Sequence, residues 1–120
     1  AWLRSAVRLL LEQEPDIEVV GEAAEASILA AAIEDADPDL LLIDWELPGA
    51  LTGDGSEHLL RTLRTNSPDL AVIVLSGRPE AAPLALQAGA DYFVSKADPP
   101  ESLLAAVRDV RRRPATLRPD

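Results

Sequence analysis

Three polar side chains of different chemistry follow three apolar segments of the sequence. Asp44 ends the run LLLID, Ser76 ends AVIVLS, and Lys96 comes directly after YFVS. Each is roughly one strand–helix unit away from the next along the chain. A carboxylate, a hydroxyl and an ammonium group that met at one point could surround a single anionic group. Whether they meet depends on the elements that carry them.

Those elements alternate between helix and strand. The apolar periodicity predicts helices over 3–13, 26–36, 56–66 and 83–88, a last helix that begins with Asp98 as N-cap and Pro99 as first residue, and strands over 17–23, 40–44, 71–76 and 92–95. Strands without polar alternation are typical of a parallel sheet covered by helices on both faces. The functional crevice of such a sheet lies outside the carboxyl ends of its strands. The sequence therefore predicts that Asp44, Ser76 and Lys96 lie along one edge.

Composition limits the classes of protein to which the chain can belong. Its 120 residues suit one domain, and 48% apolar with 27% charged residues favours a soluble globular protein. No apolar run is long enough to cross a membrane. There is no cysteine, which excludes disulfides and thiolate metal sites, and a reducing cytoplasm fits. The net charge of −10 argues against direct binding of nucleic acid, because phosphate contacts need Lys and Arg.

Each candidate residue also has an ordinary structural explanation. Asp44 could be a turn residue, Ser76–Gly77 a plain turn, and Lys96 a solvated side chain. The three together, at matched strand ends and in this order, favour a functional site.

The residues that carry this pattern resemble one family, the receiver domains of two-component response regulators. The resemblance covers nearly the whole chain and rests on the apolar strand ending in Asp44, on Pro48 four residues later, on AVIVLSG, on AGAD at 88–91 and on Phe93-Val94-Ser95-Lys96. The stretch DIEVVGEA and the lack of proline after Lys96 look more specifically like the NarL/FixJ subgroup.

The resemblance implies a role for each residue of the set. Asp44 would be the phosphoacceptor, taking a phosphoryl group from a phosphohistidine of a partner histidine kinase. Lys96 would pair with the phosphoryl oxygens, Ser76 would hydrogen-bond one of them, and Phe93 would be the aromatic whose rotamer reports the state. Mg²⁺ would be the cofactor, held by Asp44 and by the backbone carbonyl of Glu46. Apart from autodephosphorylation, the resemblance implies no enzymatic activity.

The fold implied is a flavodoxin-like, doubly wound (βα)5 sheet with three α/β/α layers, and its first strand is missing from this sequence. That strand would end in the acidic pair that holds most of the Mg²⁺, so we expect the pair upstream of Ala1. Residues 1–112 would form the receiver domain, incomplete at its N-terminus, and 113–120 a linker toward an output domain.

The resemblance also implies partners. The output domain would bind DNA and regulate transcription, and residues 83–107 would form the face that changes dimerisation. Two alternatives stay open. A degenerate receiver would act as a protein-interaction module without phosphorylation. A phosphohydrolase with an aspartyl-phosphate intermediate would need a second Asp where Glu46 stands.

Three other features have less specific explanations. His58 is expected on a solvated helix surface, and Trp45 is expected to pack in the core. The glycines at 49, 53 and 55 do not form a phosphate-binding loop, because no Lys follows them in the required place.

Overall fold

A computed structural model describes residues 4–20, 26–45 and 55–112. The helices are α1 (Arg4–Glu12), α2 (Ala26–Ala36), α3 (Gly55–Asn66), α4 (Ala82–Ala88), which follows a 3₁₀ turn at Pro79–Ala81, and α5 (Pro100–Arg112). The strands are β1 (Leu40–Asp44), β2 (Ala71–Ser76) and β3 (Tyr92–Ser95). The described helices include none that is long and apolar enough to cross a membrane.

The three strands form one parallel sheet in the order β1-β2-β3. All six residues of the middle strand, β2, are buried. Apolar side chains on one face of the sheet pack against α2, α3 and α4, and those on the other face pack against α1 and α5. The predicted parallel α/β sheet with helices on both faces is confirmed.

The prediction of a strand over 17–23 is wrong for its described part, because residues 17–20 form no strand. Residues 21–23 lie outside the described residues. Ile17 and Val19 do pack against the α1–α5 side of the core, whereas Val20 is 50% exposed. The apolar residues of this segment therefore pack against the core without forming a strand. An apolar composition carries no information about whether a neighbouring backbone is in place to form a ladder of hydrogen bonds, and a strand needs that ladder.

The predicted start of α5 at Pro99 is one residue early. The Asp98 N–H donates to the Ser95 carbonyl at 3.0 Å, so Asp98 belongs to the preceding turn. The Pro99 carbonyl accepts the Ser102 N–H at 2.9 Å, and the helix itself begins at Pro100. Pro99 therefore occupies the N-cap position, and its side chain has no oxygen to accept an N–H of the first turn.

Arg108 of α5 and Glu14, in the turn that follows α1, form an ion pair at the surface. The guanidinium makes two hydrogen bonds of 3.0 Å with the Glu14 carboxylate. These bonds raise the pKa of Arg108 above its usual value. The Arg108 side chain is 45% exposed and that of Glu14 is 13% exposed, so the pair lies at the surface and contributes little to the stability of the fold.

Asp37 is the one non-glycine residue among those described that has a positive φ, 47°. It follows α2 in the left-handed conformation that glycine adopts without steric cost, and its side chain is exposed. We expect Asp37→Gly to raise the free energy of unfolding by about 0.5–1 kcal/mol in urea denaturation. Asp35→Gly, inside α2, is the matched control and should lower it by about 0.3 kcal/mol, the difference between the helix propensities of Asp and Gly. A loss of stability in Asp37→Gly would contradict the assignment of backbone strain to this position.

Candidate functional site

Asp44 and Lys96 meet at the carboxyl edge of the sheet. The Lys96 Nζ lies 2.8 Å from the Asp44 Oδ2. Asp44 ends β1 and Lys96 follows β3, and β2 lies between these two strands. Neighbouring strands are about 4.8 Å apart, so β1 and β3 are separated by nearly 10 Å, and the Lys96 and Asp44 side chains together bridge this distance over the end of β2. This contact joins two residues 52 positions apart in the sequence.

Ser76 lies at the end of β2, on the strand over which that ion pair passes. It is in register with Ser95, and its carbonyl accepts the Lys96 N–H at 2.8 Å. The residue is fully buried, and its hydroxyl accepts the Arg78 N–H at 3.0 Å. The three predicted site residues therefore occupy the ends of three adjacent strands, with the hydroxyl-bearing residue in the middle.

The exposure of the ion pair bears on what it can do. The side chains of Asp44 and Lys96 are 40% and 24% exposed, so solvent and a small anion can reach both groups. A pair this accessible contributes roughly 0–1 kcal/mol to stability. The lysine can therefore move from the carboxylate to another anionic oxygen at little cost to the fold.

Phe93 lies on β3, three residues before Lys96. It is half-buried, in register with Val74, and packs against the cluster formed by β1, β2, α2, α3 and α4. Its neighbour Tyr92 faces the other side of the sheet, where its hydroxyl donates to the Asp109 carboxylate on α5. The role of Phe93 as a reporter of state stays a prediction.

Trp45 directly follows Asp44, is 5% exposed and belongs to the same apolar cluster as Ile43 and Leu60. Its packing role is confirmed. The Trp45 N–H donates to the Leu75 carbonyl at 2.8 Å, which extends the ladder one residue beyond Asp44. The end of β1 is therefore fixed by backbone and side chain together.

Of the predicted metal ligands, Asp44 lies at the end of β1. Glu46 lies outside the described residues, and the acidic pair was expected upstream of the sequence. Within the described parts of the chain, no three His, Asp or Glu side chains cluster closely enough to hold a metal ion. Asp44 itself suits Mg²⁺, which takes oxygen ligands and commonly uses one or two carboxylates together with water and phosphate oxygens.

His58 lies exposed on α3, as predicted for a solvated residue. It borders a shallow surface depression together with Arg61, Thr62, Thr65 and Asn66. This depression belongs to the outer face of the helix.

Two side chains that the sequence did not single out bear on the site or on its scaffold. Ser95 and Ala97 flank Lys96, and the Ser95 hydroxyl accepts the Ala97 N–H at 3.1 Å. Arg64 of α3 binds Asp91 at 2.9 Å at the opposite edge of the sheet. A serine before the lysine and an Asp in the AGAD turn were visible in the sequence. Their bonding partners were not, because each bond depends on the folded backbone.

Comparison with known proteins shows the family to which the chain is similar. The family model described as the response regulator receiver domain matches residues 1–108. The nitrate/nitrite response regulator protein NarL of Escherichia coli (strain K12) is 37% identical over 105 residues, which cover 88% of this chain and 48% of that protein. A protein-glutamate methylesterase/protein-glutamine glutaminase of Geobacter sulfurreducens is also 37% identical, over 94% of this chain and 30% of its own length.

Among solved structures, the isolated REC domain of RcsB from Salmonella enterica serovar Typhimurium, determined in the presence of phosphomimetic BeF₃⁻, superposes with a TM-score of 0.80 at 27% identity. The match covers 90% of this chain and 79% of that one. The chain spans about half the length of the curated NarL protein that it matches.

Proposed function

The chain belongs to the response regulator receiver domain family, and from that premise we propose that it is a phosphorylation-dependent signalling switch whose phosphoacceptor is Asp44. The phosphodonor is a histidine kinase. A carboxylate oxygen of Asp44 attacks the phosphorus, the new P–O bond forms as the P–N bond of the phosphohistidine breaks, and the electron pair of that bond returns to the imidazole.

The observation that carries this proposal is the 2.8 Å contact between Lys96 and Asp44 across the end of β2. An ammonium group held beside the acceptor is in reach of the oxygens of a phosphoryl group bound there. Phosphoryl transfer depends mainly on positioning and on neutralising charge, and Lys96 supplies both at this point. Lys96 is the one lysine of the sequence, and the carboxylate that it contacts is the one at the end of β1.

Ser76 and Phe93 supply the response to phosphorylation. The phosphoryl group adds about −1.5 to −2 units of charge with three acceptor oxygens. In the proposed switch the Ser76 hydroxyl donates to one of these oxygens instead of to the Arg78 carbonyl, which it now contacts at 3.5 Å. Phe93, half-buried beside this strand end, repacks as the segment after Ser76 moves.

Mg²⁺ fits the acceptor carboxylate, and Asp44 would be one of its ligands, with the Glu46 carbonyl and an upstream acidic pair as the others. When bound, the ion neutralises charge on the phosphoryl oxygens. This chain contributes two steps: Lys96 holds the anion, and Asp44 forms the covalent bond.

The output of the switch is proposed from the family. NarL is a response regulator, and another relative is a methylesterase, so receivers of this kind occur with different output domains. We assign this chain to a transcription regulator whose DNA-binding domain follows residues 113–120. Residues 83–107, which include the exposed Leu84 and Leu86, are the face proposed to change dimerisation.

The test is incubation of the natural full-length protein with acetyl phosphate and Mg²⁺, followed by intact mass measurement. The parent should gain one phosphoryl group, and Asp44→Asn should gain none, because an amide oxygen is a poor nucleophile. Asp39→Asn changes an exposed carboxylate just before the same strand and should be labelled like the parent. Equal labelling of the parent and Asp44→Asn would assign the chemistry to another residue. A parent that stays unlabelled would favour a receiver that acts only as a protein-interaction module.

A further inference from the structure

The turn that follows β3 carries Lys96 at its second position. Ser95 is its first residue, and the Ser95 carbonyl accepts the Asp98 N–H at 3.0 Å, which closes the turn. The Ser95 hydroxyl accepts the Ala97 N–H at 3.1 Å. Serine favours the first position of a turn because its hydroxyl can bond the backbone two residues on. Both of these bonds start from Ser95 and enclose Lys96.

A third bond fixes Lys96 from the neighbouring strand. Its N–H donates to the Ser76 carbonyl at 2.8 Å and so continues the β2–β3 ladder past Ser95. The backbone of Lys96 is thus fixed on the sheet side by Ser76 and on the turn side by the Ser95 hydroxyl. The direction of the lysine side chain follows from this backbone geometry.

That direction matters because the lysine stem is long and flexible. It reaches across the end of β2 to Asp44, and the entropy cost of holding a lysine in one geometry opposes the contact. A turn fixed at both ends lowers this cost, because it leaves fewer backbone arrangements from which the side chain can start. Displacement of the turn would change the position from which the ammonium must reach Asp44 and so slow a positioned reaction.

We infer that Ser95 is a positioning residue for Lys96, acting through the hydrogen bond from the Ala97 amide to its hydroxyl. The inference rests on the proposed function in that Lys96 serves phosphorylation of Asp44. The bond itself and the order of the lysine can be measured without any phosphorylation.

The first experiment measures amide hydrogen exchange of the full chain by NMR. In Ser95→Ala the Ala97 amide loses its acceptor and should exchange about tenfold faster. Ser95→Thr keeps a hydroxyl at the same place and should restore the parent rate. Thr65→Ala removes another side-chain-to-backbone bond, between Thr65 and Arg61 on α3, and should leave Ala97 unchanged. Unaltered exchange of Ala97 in Ser95→Ala would overturn the inference.

The second experiment measures the rate of labelling by acetyl phosphate with Mg²⁺. Ser95→Ala should slow labelling about tenfold, whereas Ser95→Thr should not. In a Lys96→Met background, Ser95→Ala should change the rate by less than about twofold, because a residue that acts only through Lys96 has no effect once Lys96 is gone. Equal slowing in both backgrounds would show that Ser95 acts by another route.

A parent protein that takes no label would contradict the proposed function but would leave the inference testable. The order parameter of the Lys96 ammonium group, measured by NMR, should then fall in Ser95→Ala and recover in Ser95→Thr. An ammonium group equally ordered in all three proteins would overturn the positioning role.

Discussion

Replacing Asp91 by alanine should lower the free energy of unfolding by about 3–5 kcal/mol, the cost of removing one partner from a buried ion pair. The side chain of Asp91 is 2% exposed and that of its partner Arg64 is 11% exposed. The same carboxylate oxygen also accepts the Val72 N–H at 2.8 Å. The substitution therefore leaves both a buried positive charge and a buried amide at the start of β2 without their acceptor.

Arg64 explains why this position is so sensitive. Its guanidinium makes contacts with the backbone carbonyls of Pro68, Leu70 and Gly89 as well as with Asp91. All five of its N–H donors are used in these contacts. One side chain thus joins the end of α3, the approach to β2 and the end of α4. Lysine has three donors and no planar fork, so Arg64→Lys should also destabilise, by about 1–3 kcal/mol.

Gly89 belongs to the same unit. Its φ of 123° is strained for any side chain, and a Cβ placed there would lie 3.3 Å from the Arg64 Cγ. The glycine therefore ends α4 and also leaves room for the arginine that binds its carbonyl.

Urea denaturation followed by circular dichroism measures these losses. Glu12→Ala is the matched control, because it breaks an exposed ion pair with Arg8 and should cost less than about 0.5 kcal/mol. If Asp91→Ala proves too unstable to fold, Asp91→Asn keeps an acceptor for Val72 and gives a smaller, measurable loss. A loss in Asp91→Ala no greater than that in Glu12→Ala would show that the buried pair contributes nothing.

The sequence predicted three strands correctly because each is an apolar run whose length and flanking turns suit a buried parallel strand. Ala71–Ser76 is the clearest case, with every residue buried. The segment at 17–20 has a similar composition and still forms no strand, because pairing depends on a neighbour that local sequence does not specify. The predicted start of α5 is one residue early for a related reason. Asp98 closes a turn with Ser95 and therefore does not occupy the N-cap position.

The three strand-end residues of the site were predictable because parallel topology alone brings consecutive strand ends to one edge. Asp44 and Lys96 illustrate this, since no local feature links them and yet they lie 2.8 Å apart. Ser95 and Arg64 were not predictable, because each acts through hydrogen bonds to backbone groups of the folded chain. A sequence shows side-chain chemistry directly, whereas backbone donors and acceptors are the same at nearly every residue.

Replacing Lys96 by methionine should slow phosphorylation of Asp44 by acetyl phosphate about 100-fold. Methionine keeps a long unbranched side chain but supplies no charge where negative charge develops on the phosphoryl oxygens. Lys96→Arg keeps the charge on a longer, planar group and should recover part of the rate. Labelling is followed over time by intact mass in the presence of Mg²⁺.

The stability of the same variant separates a functional role from a structural one. Because the Asp44–Lys96 pair is partly exposed, Lys96→Met should change the free energy of unfolding by less than about 1 kcal/mol. Asp91→Ala should show the opposite combination. Its loss of stability should be large, but the fraction that stays folded should be labelled at a rate within about threefold of the parent. The reason is that a distant scaffold residue does not contact the reacting group. If Lys96→Met were labelled as fast as the parent, Lys96 would have no role in the phosphorylation of Asp44. The ion pair at the carboxyl edge would then be one more surface contact, although the buried pair at the opposite edge would still support the fold.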